Sequence, residues 1–191
     1  MRLRATTPAD LDVFLGWVPS EADMVLWSGP SFTWPLDRGQ LEVYLGHDQR
    51  RYWTGLHPES GDPVGHASLL VDEEAPMMRL GCILLDPAAR GRGLGRELIS
   101  TAVRTGFEIT DLPAMKLGVY AHNTAARGVY ESLGFQETGR VSSTEVGGRQ
   151  WHALEMELSR EAHIVPDETS GHAAATQRLS SSSARSVRTR D

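Results

Sequence analysis

The sequence predicts an α+β domain (a mixed α/β sandwich) built on a central mixed, mostly antiparallel sheet with helices on both faces. Strand-like runs alternate along the chain with amphipathic stretches of helical spacing. Apolar residues make up 40% of the 191 residues, which is enough to bury one core. No apolar run approaches the roughly 18 residues of a membrane-spanning helix, so we expect a soluble, cytoplasmic protein with no membrane partner.

In the first third of the chain, local signals predict one strand and three helices. Residues 2–5 suit a strand, and Thr7-Pro8 opens a helix with proline in its first turn. Residues 20–23 form a capping-box pattern ahead of a second helix, and a third is expected over residues 36–46.

The rest of the domain is expected to alternate strands with two further helices. Strands at residues 52–57, 64–71 and 77–85 are separated by turn signals and predict an antiparallel meander. The remaining predicted elements are a helix whose apolar face spans residues 94–107, a strand at 116–120, a helix after Asn123, and a closing hairpin of strands 135–141 and 149–158.

A glycine-rich turn, Arg90-Gly91-Arg92-Gly93-Leu94-Gly95, separates the third strand of the meander from the long helix. Glycines let the backbone approach a ligand closely, and the first N–H groups of the helix would point at an anion bound there. The guanidinium groups of Arg90, Arg92 and Arg96 pair well with phosphate. Alone, the hexamer fits either a phosphate cradle or a solvated turn.

A second segment, residues 123–135, predicts a short helix. Asn123 is a good N-cap, Gly134 is a good stop, and Ala126, Val129, Tyr130 and Leu133 repeat at helical spacing. Taken singly, Asn123 is explained as a cap and Tyr130 as a core residue.

Together the two segments resemble the GNAT superfamily of acetyl-CoA-dependent N-acetyltransferases. The matching residues are Leu85-Asp86-Pro87 with Arg90-x-x-Gly93-x-Gly95, and Asn123 with Tyr130-x-x-x-Gly134-Phe135. The match is close over residues 77–140 and extends more weakly over about residues 1–160. The resemblance implies a GNAT-like fold with acetyl-CoA as the cosubstrate.

The resemblance also implies roles for individual residues. The glycine turn would hold the pyrophosphate of coenzyme A, the strand before it would lend backbone groups to the pantetheine arm and the thioester, and Asn123 would contact the pantetheine or the substrate side. Tyr130 would be the general acid that reprotonates the departing thiolate. The implied cosubstrate-binding residues are Ile83, Leu84, Leu85, Arg90, Gly91, Arg92, Gly93, Leu94, Gly95, Arg96 and Asn123.

One position departs from the family pattern. Many relatives that acetylate protein amines carry a glutamate five residues before Asn123, where this chain has Gly118. Glycine cannot accept a proton, so the base must be ordered water or a side chain such as Tyr120, His122 or His66. The choice among these stays open.

Cysteine and histidine usage predicts no covalent or metal chemistry. Cys82, the single cysteine, falls in a predicted central strand and is expected to be a small buried hydrophobe rather than a nucleophile. The seven histidines show no metal-ligand spacing, so no metal site is expected.

The composition changes after residue 162. Residues 163–191 are rich in serine and arginine without an apolar period, which predicts a disordered tail behind an N-acetyltransferase domain at residues 1–162. The tail has four arginines and three acids, so the net charge of −6 leaves −7 on the domain. A negative domain does not suit a nucleic-acid partner.

Residues 10–60 are expected to decide the acceptor. The aromatic, proline-stiffened loop at residues 27–35 could line an acceptor pocket or fill the core. Nearby acids, Glu21, Asp23 and Asp37, could hold a cationic amine or cap helices.

The expected function is direct transfer of acetyl from acetyl-CoA to a primary amine of a small-molecule or amino-acid-like acceptor. The alternatives are a protein N-terminal acetyltransferase and a non-catalytic acyl-CoA-binding sensor. A homodimer is possible.

Overall fold

The computed structural model describes residues 1–72 and 74–164. Its seven strands are β1 Arg2–Ala5, β2 Arg50–Leu56, β3 Pro63–Asp72, β4 Met77–Leu85, β5 Ala114–Tyr120, β6 Gln136–Val146 and β7 Arg149–Ser159. They form one sheet in the order β1-β2-β3-β4-β5-β7-β6. Only β4 and β5 pair in parallel; the other neighbours are antiparallel.

The described residues form six α-helices; the first follows a 3-10 turn at Pro8–Asp10, where the sequence predicted its start, and the last was not predicted. They are α1 Leu11–Gly16, α2 Glu21–Ser28, α3 Arg38–Leu45, α4 Leu94–Glu108, α5 Thr124–Ser132 and α6 Arg160–Ile164. The side chain of Ser20 caps α2 by accepting from the Asp23 N–H, and that of Asp37 caps α3 by accepting from the Gln40 N–H. None of the helices in this described part is long and apolar enough to cross a membrane.

Helices cover both faces of the sheet and divide the core in two. On one face, α4 and α5 pack their apolar sides against alternate residues of the central strands, such as Leu69, Met78 and Leu117. On the other face, α1, α2 and α3 bury Phe14, Met24 and Leu41. The α+β class, the antiparallel meander and the two-sided helix layers are therefore confirmed.

Several predicted boundaries differ from the structure, and the end of β6 differs by the most. Strand β6 continues to Val146 instead of ending at residue 141; it is an exposed edge strand, so no apolar alternation marked its extent. The helix α6 includes His163 and Ile164, which were assigned to the tail, and the His163 ring stacks on Phe107 at 4.8 Å between centroids. The rest of the predicted tail, residues 165–191, lies outside the described residues.

Candidate active site

A gap opens between the two parallel strands. β4 and β5 pair only at Met78–Met115 and Arg79–Lys116, near the start of each strand. Farther along, β4 remains paired with β3, and β5 with β7. No strand of the described chain pairs with the other edge of β4 over residues 80–85, so backbone hydrogen-bonding groups there are open to an extended ligand.

A β-bulge in β4 lies at this gap. Ser68 pairs with Gly81 and His66 with Leu84, so Cys82 and Ile83 together oppose Ala67. Cys82 has a φ of 47°, which is uncommon for a residue with a side chain. Because of the extra residue, Ile83 faces the α4 core and Leu84 packs into the opposite core.

The glycine turn follows β4 after one 3-10 turn at Pro87–Ala89. Gly91 and Gly93 have φ angles of 75° and 80°, and a Cβ at either would meet no atom within 4 Å. Gly93 is the N-cap of α4 and provides no side-chain cap, so the N–H groups at residues 94–96 point out of the helix end. Arg90, Arg92 and Arg96 are exposed around the turn.

The helix α5 lies beside the glycine turn. The guanidinium of Arg96 donates a hydrogen bond to Ser132 Oγ, which joins the first turn of α4 to the last turn of α5. Asn123 caps α5 by accepting from the Ala126 N–H at 3.3 Å, as its cap interpretation predicts. The structure therefore brings the two sequence motifs together.

Tyr130 of α5 is buried on the α4 side of the sheet. Its side chain belongs to the apolar cluster that includes Val119 of β5, with Ile83 and Leu85 of β4 at the margin, so this cluster reaches both strands that flank the gap. Burial raises the pKa of the Tyr130 phenol. The hydroxyl therefore stays protonated at neutral pH and can act as a proton donor.

On the opposite face, a cavity of about 560 Å³ lies beside the gap. Its walls include the α2 end and the following residues 26–31, Cys82 of β4, Gly118 and Tyr120 of β5, and parts of β6 and β7. The charged side chains at its wall are Arg50, Arg79, Arg140 and Glu155. None of these four was predicted as a site residue, because strand pairing rather than sequence spacing sets them beside one another.

Glu155 lies directly across from Gly118 in the register of β5 and β7. One of its oxygens lies 3.4 Å from Nη1 of Arg79, and the other accepts from the Thr138 hydroxyl at 3.1 Å. Burial alone would raise the pKa of Glu155, but the Thr138 hydrogen bond and the charges of Lys116, Arg79 and Arg140 outweigh burial and lower it. Glu155 is therefore ionised at neutral pH.

The three side chains that the sequence offers as candidate general bases, His66, Tyr120 and His122, lie in different surroundings. His66 is fully buried, its Nε2 lies 3.2 Å from the Tyr44 hydroxyl, and burial lowers its pKa to about 3. It is a neutral core residue and does not line the cavity. Tyr120 lines the cavity, and the exposed ring of His122 stacks on it at 5.7 Å.

The loop at residues 27–35 contributes both to the core and to the wall of the cavity. Trp27 is buried in the second core and stacks on Phe32 at 5.2 Å, while residues 28–31 line the cavity. The nearby acids do not line it: Asp37 caps α3, and Asp23 and Glu21 lie in the first turn of α2. The helix-capping interpretation of these acids is the one that the structure supports.

The chain is similar over part of its length to curated acetyltransferases. It is 36% identical over 99 residues to a mycothiol acetyltransferase of Acidothermus cellulolyticus, which covers 51% of this chain and 29% of that protein. It is 32% identical over 95 residues to the peptidyl-lysine N-acetyltransferase YjaB of Salmonella typhimurium, which covers 50% of this chain and 57% of that protein. The chain thus spans less than two thirds of the length of either relative.

The fold is that of a solved acetyltransferase. A spermidine N-acetyltransferase from Vibrio cholerae, in complex with CoA and spermine, superposes with a TM-score of 0.74 at 22% identity, over 86% of this chain and 98% of that one. A family model described as Acetyltransferase (GNAT) family matches residues 22–135, which include the gap, the glycine turn and α5. The protein therefore belongs to the GNAT family of acetyltransferases.

Proposed function

We propose that the protein transfers an acetyl group from acetyl-CoA directly to a primary amine of a small-molecule or amino-acid-like acceptor. The observation that carries this proposal is the gap between β4 and β5. On one side the open edge of β4 runs into the glycine turn, and on the other side the gap borders a cavity large enough for a small molecule.

The glycine turn fits the pyrophosphate of coenzyme A. Space is open at Gly91 and Gly93, the uncapped N–H groups of α4 face outward, and exposed arginines surround the turn. The backbone of residues 83–85 would hold the pantetheine arm in the manner of an added strand. When bound, acetyl-CoA supplies an acetyl group activated as a thioester.

Tyr130 is the proposed proton donor. As the amine nitrogen bonds to the acetyl carbon and the C–S bond breaks, the sulfur takes the Tyr130 proton. An ordinary thiol has a pKa near 8.5 and an ordinary tyrosine one near 10, and burial raises the pKa of Tyr130 further, so this transfer is uphill and requires that the site stabilise the thiolate less than water does or hold the two groups in direct hydrogen-bond contact. The amine gives up its own proton to ordered water or to Tyr120 or His122, beside the cavity.

A screen for thiol release from acetyl-CoA tests the proposal across small amines, amino acids and peptides with a free N-terminus. Turnover with small amines supports it, and turnover confined to peptides would favour the protein N-terminal acetyltransferase. Binding of acetyl-CoA, seen as a rise in Tm, with no turnover on any amine would favour the sensor. A cytoplasmic location and a homodimer stay predictions from the sequence.

A further inference from the structure

The acceptor cavity has more positive than negative charge at its wall. Arg50 of β2, Arg79 of β4 and Arg140 of β6 line it, and Glu155 is the single carboxylate among its described lining residues. Glu155 already has cationic neighbours, with Arg79 at 3.4 Å and Lys116 at 3.8 Å. Its negative charge is therefore compensated within the protein.

Arg79 occupies the place where an acid is expected in many relatives. A Cβ atom built on Gly118 would stand 3.2 Å from Nη2 of Arg79, so the guanidinium covers the glycine. The side chain of Arg79 is 40% exposed, which leaves it accessible from the cavity. Relative to a glutamate at position 118, the sign of the charge at this wall is reversed.

Arg50 and Arg140 add further positive charge to the wall of the cavity. Neither forms an ion pair with a carboxylate of the described residues. Nη1 of Arg50 donates to Ser68 Oγ at 3.0 Å, and its guanidinium carbon lies 5.8 Å from the centre of the Tyr44 ring. These contacts orient Arg50, and neither of them is with a carboxylate.

We propose that the acceptor amine carries a carboxylate in the same molecule, and that Arg79 and Arg50 bind this carboxylate. The inference rests on the proposed function and names its substrate class. A guanidinium offers paired N–H donors that match a carboxylate. A cleft lined by charges of one sign attracts ligands of the opposite sign, so a polyamine is disfavoured here. Amino acids and short peptides that end in a free carboxylate are the acceptors.

Matched acceptors test the charge requirement. We would measure kcat/KM by thiol release and correct each value for the fraction of neutral amine. Three pairs compare a carboxylate with its amide: phenylalanine with phenylalaninamide, alanine with alaninamide, and β-alanine with β-alaninamide. Spermidine is the polyamine for comparison. The α- and β-amino acids distinguish two spacings between amine and carboxylate. The carboxylate member of at least one pair is expected to be favoured by about tenfold or more.

Substitutions assign the preference to the arginines. Arg79→Gln is expected to reduce the carboxylate-to-amide ratio to within about threefold. The matched control Arg104→Gln removes an exposed arginine of α4, away from the cavity, and is expected to keep the wild-type ratio. The inference would be overturned if the amides or spermidine were acetylated as efficiently as the carboxylates. It would also be overturned if Arg79→Gln left the carboxylate-to-amide ratio unchanged.

A titration that needs no turnover distinguishes failure of the proposed function from failure of the charge inference. If acetyl-CoA binds but no amine is acetylated, the proposed function fails and the charge inference is decided by calorimetry. N-acetylphenylalanine and N-acetylphenylalaninamide are then titrated into the protein with CoA present. Tighter binding of the carboxylate that is lost in Arg79→Gln supports the inference, and equal or undetectable binding of the two probes contradicts it.

Discussion

The ring of Tyr130 packs edge-on against that of Phe135, with the two ring centres 5.8 Å apart. One ring comes from α5 and the other from the residue before β6, so the contact packs the helix against the sheet. Tyr130 is 6% exposed, and its packing is that of a core residue. The proposed proton donor is thus held by apolar contacts that do not depend on its hydroxyl.

Tyr130→Phe separates the ring from the hydroxyl. Because the packing is kept, we expect an unchanged Tm and little change in the dissociation constant of acetyl-CoA. Because the proton donor is lost, kcat should fall by roughly 10² to 10⁴. The rate of thiol release gives kcat, calorimetry gives the dissociation constant of acetyl-CoA, and thermal unfolding gives the Tm. Near-normal turnover of the phenylalanine variant would show that the sulfur obtains its proton elsewhere.

Gly93→Val tests the glycine turn. The φ of 80° at Gly93 is unfavourable for a β-branched residue, and a side chain there would keep the backbone from closing on a phosphate. The affinity for acetyl-CoA should fall by about tenfold or more. Gly61→Val is the matched control, because Gly61 has a φ of 77° and no atom near its Cβ position but lies in the turn between β2 and β3. An equal loss of affinity in both variants would contradict the assignment.

Cys82 provides a test of direct transfer. Burial raises the pKa of its thiol, so the nucleophilic thiolate is scarce at neutral pH. Cys82→Ala keeps a side chain at the left-handed position, and we expect it to retain at least about a tenth of the wild-type kcat. An aromatic disulfide reagent should modify the native thiol slowly and the unfolded thiol at once. A loss of kcat on the order of 10³ or more, with an acetylated Cys82 found by mass spectrometry, would favour a covalent intermediate.

Stability at low pH should depend on Asp10. Asp10 is 3% exposed, and its carboxylate pairs with Arg4 at 2.6 Å. Burial would raise its pKa, but hydrogen bonds from Arg4 and Thr7 outweigh burial and lower it to about 2. Since the folded pKa lies below the unfolded value near 3.9, the stabilisation is complete above that value and is lost as the pH falls toward 2.

Asp10→Asn should therefore lower the free energy of unfolding by about 2 kcal/mol at neutral pH. The difference from wild type should shrink below about pH 4. Asp12→Asn is the control: Asp12 pairs with Arg38 at 2.7 Å but its side chain is 70% exposed, so the change should stay within about 1 kcal/mol. Urea unfolding as a function of pH measures both, and a pH-independent difference for Asp10→Asn would contradict the ion-pair account.

The sequence by itself determined the fold class, the limits of β4, the caps at Ser20 and Asn123, and membership of the family. Each of these features can be recognised from residues close together in the chain, because an N-cap, a helical repeat and a glycine turn are all short-range patterns. The roles of individual residues in the glycine turn and of Tyr130 were predicted from the same motifs and stay predictions.

Only the tertiary structure decided where the two strands separate and which charges meet beside the gap. Gly118 and Glu155 face each other because β7 enters between β5 and β6, and Arg79 covers Gly118 because β4 lies parallel to β5. Such contacts follow from strand register, which joins residues far apart in the chain and leaves no local pattern. For the same reason, the sequence showed His66 as a candidate base, whereas complete burial beside Phe14 and Tyr44 makes it a neutral core residue.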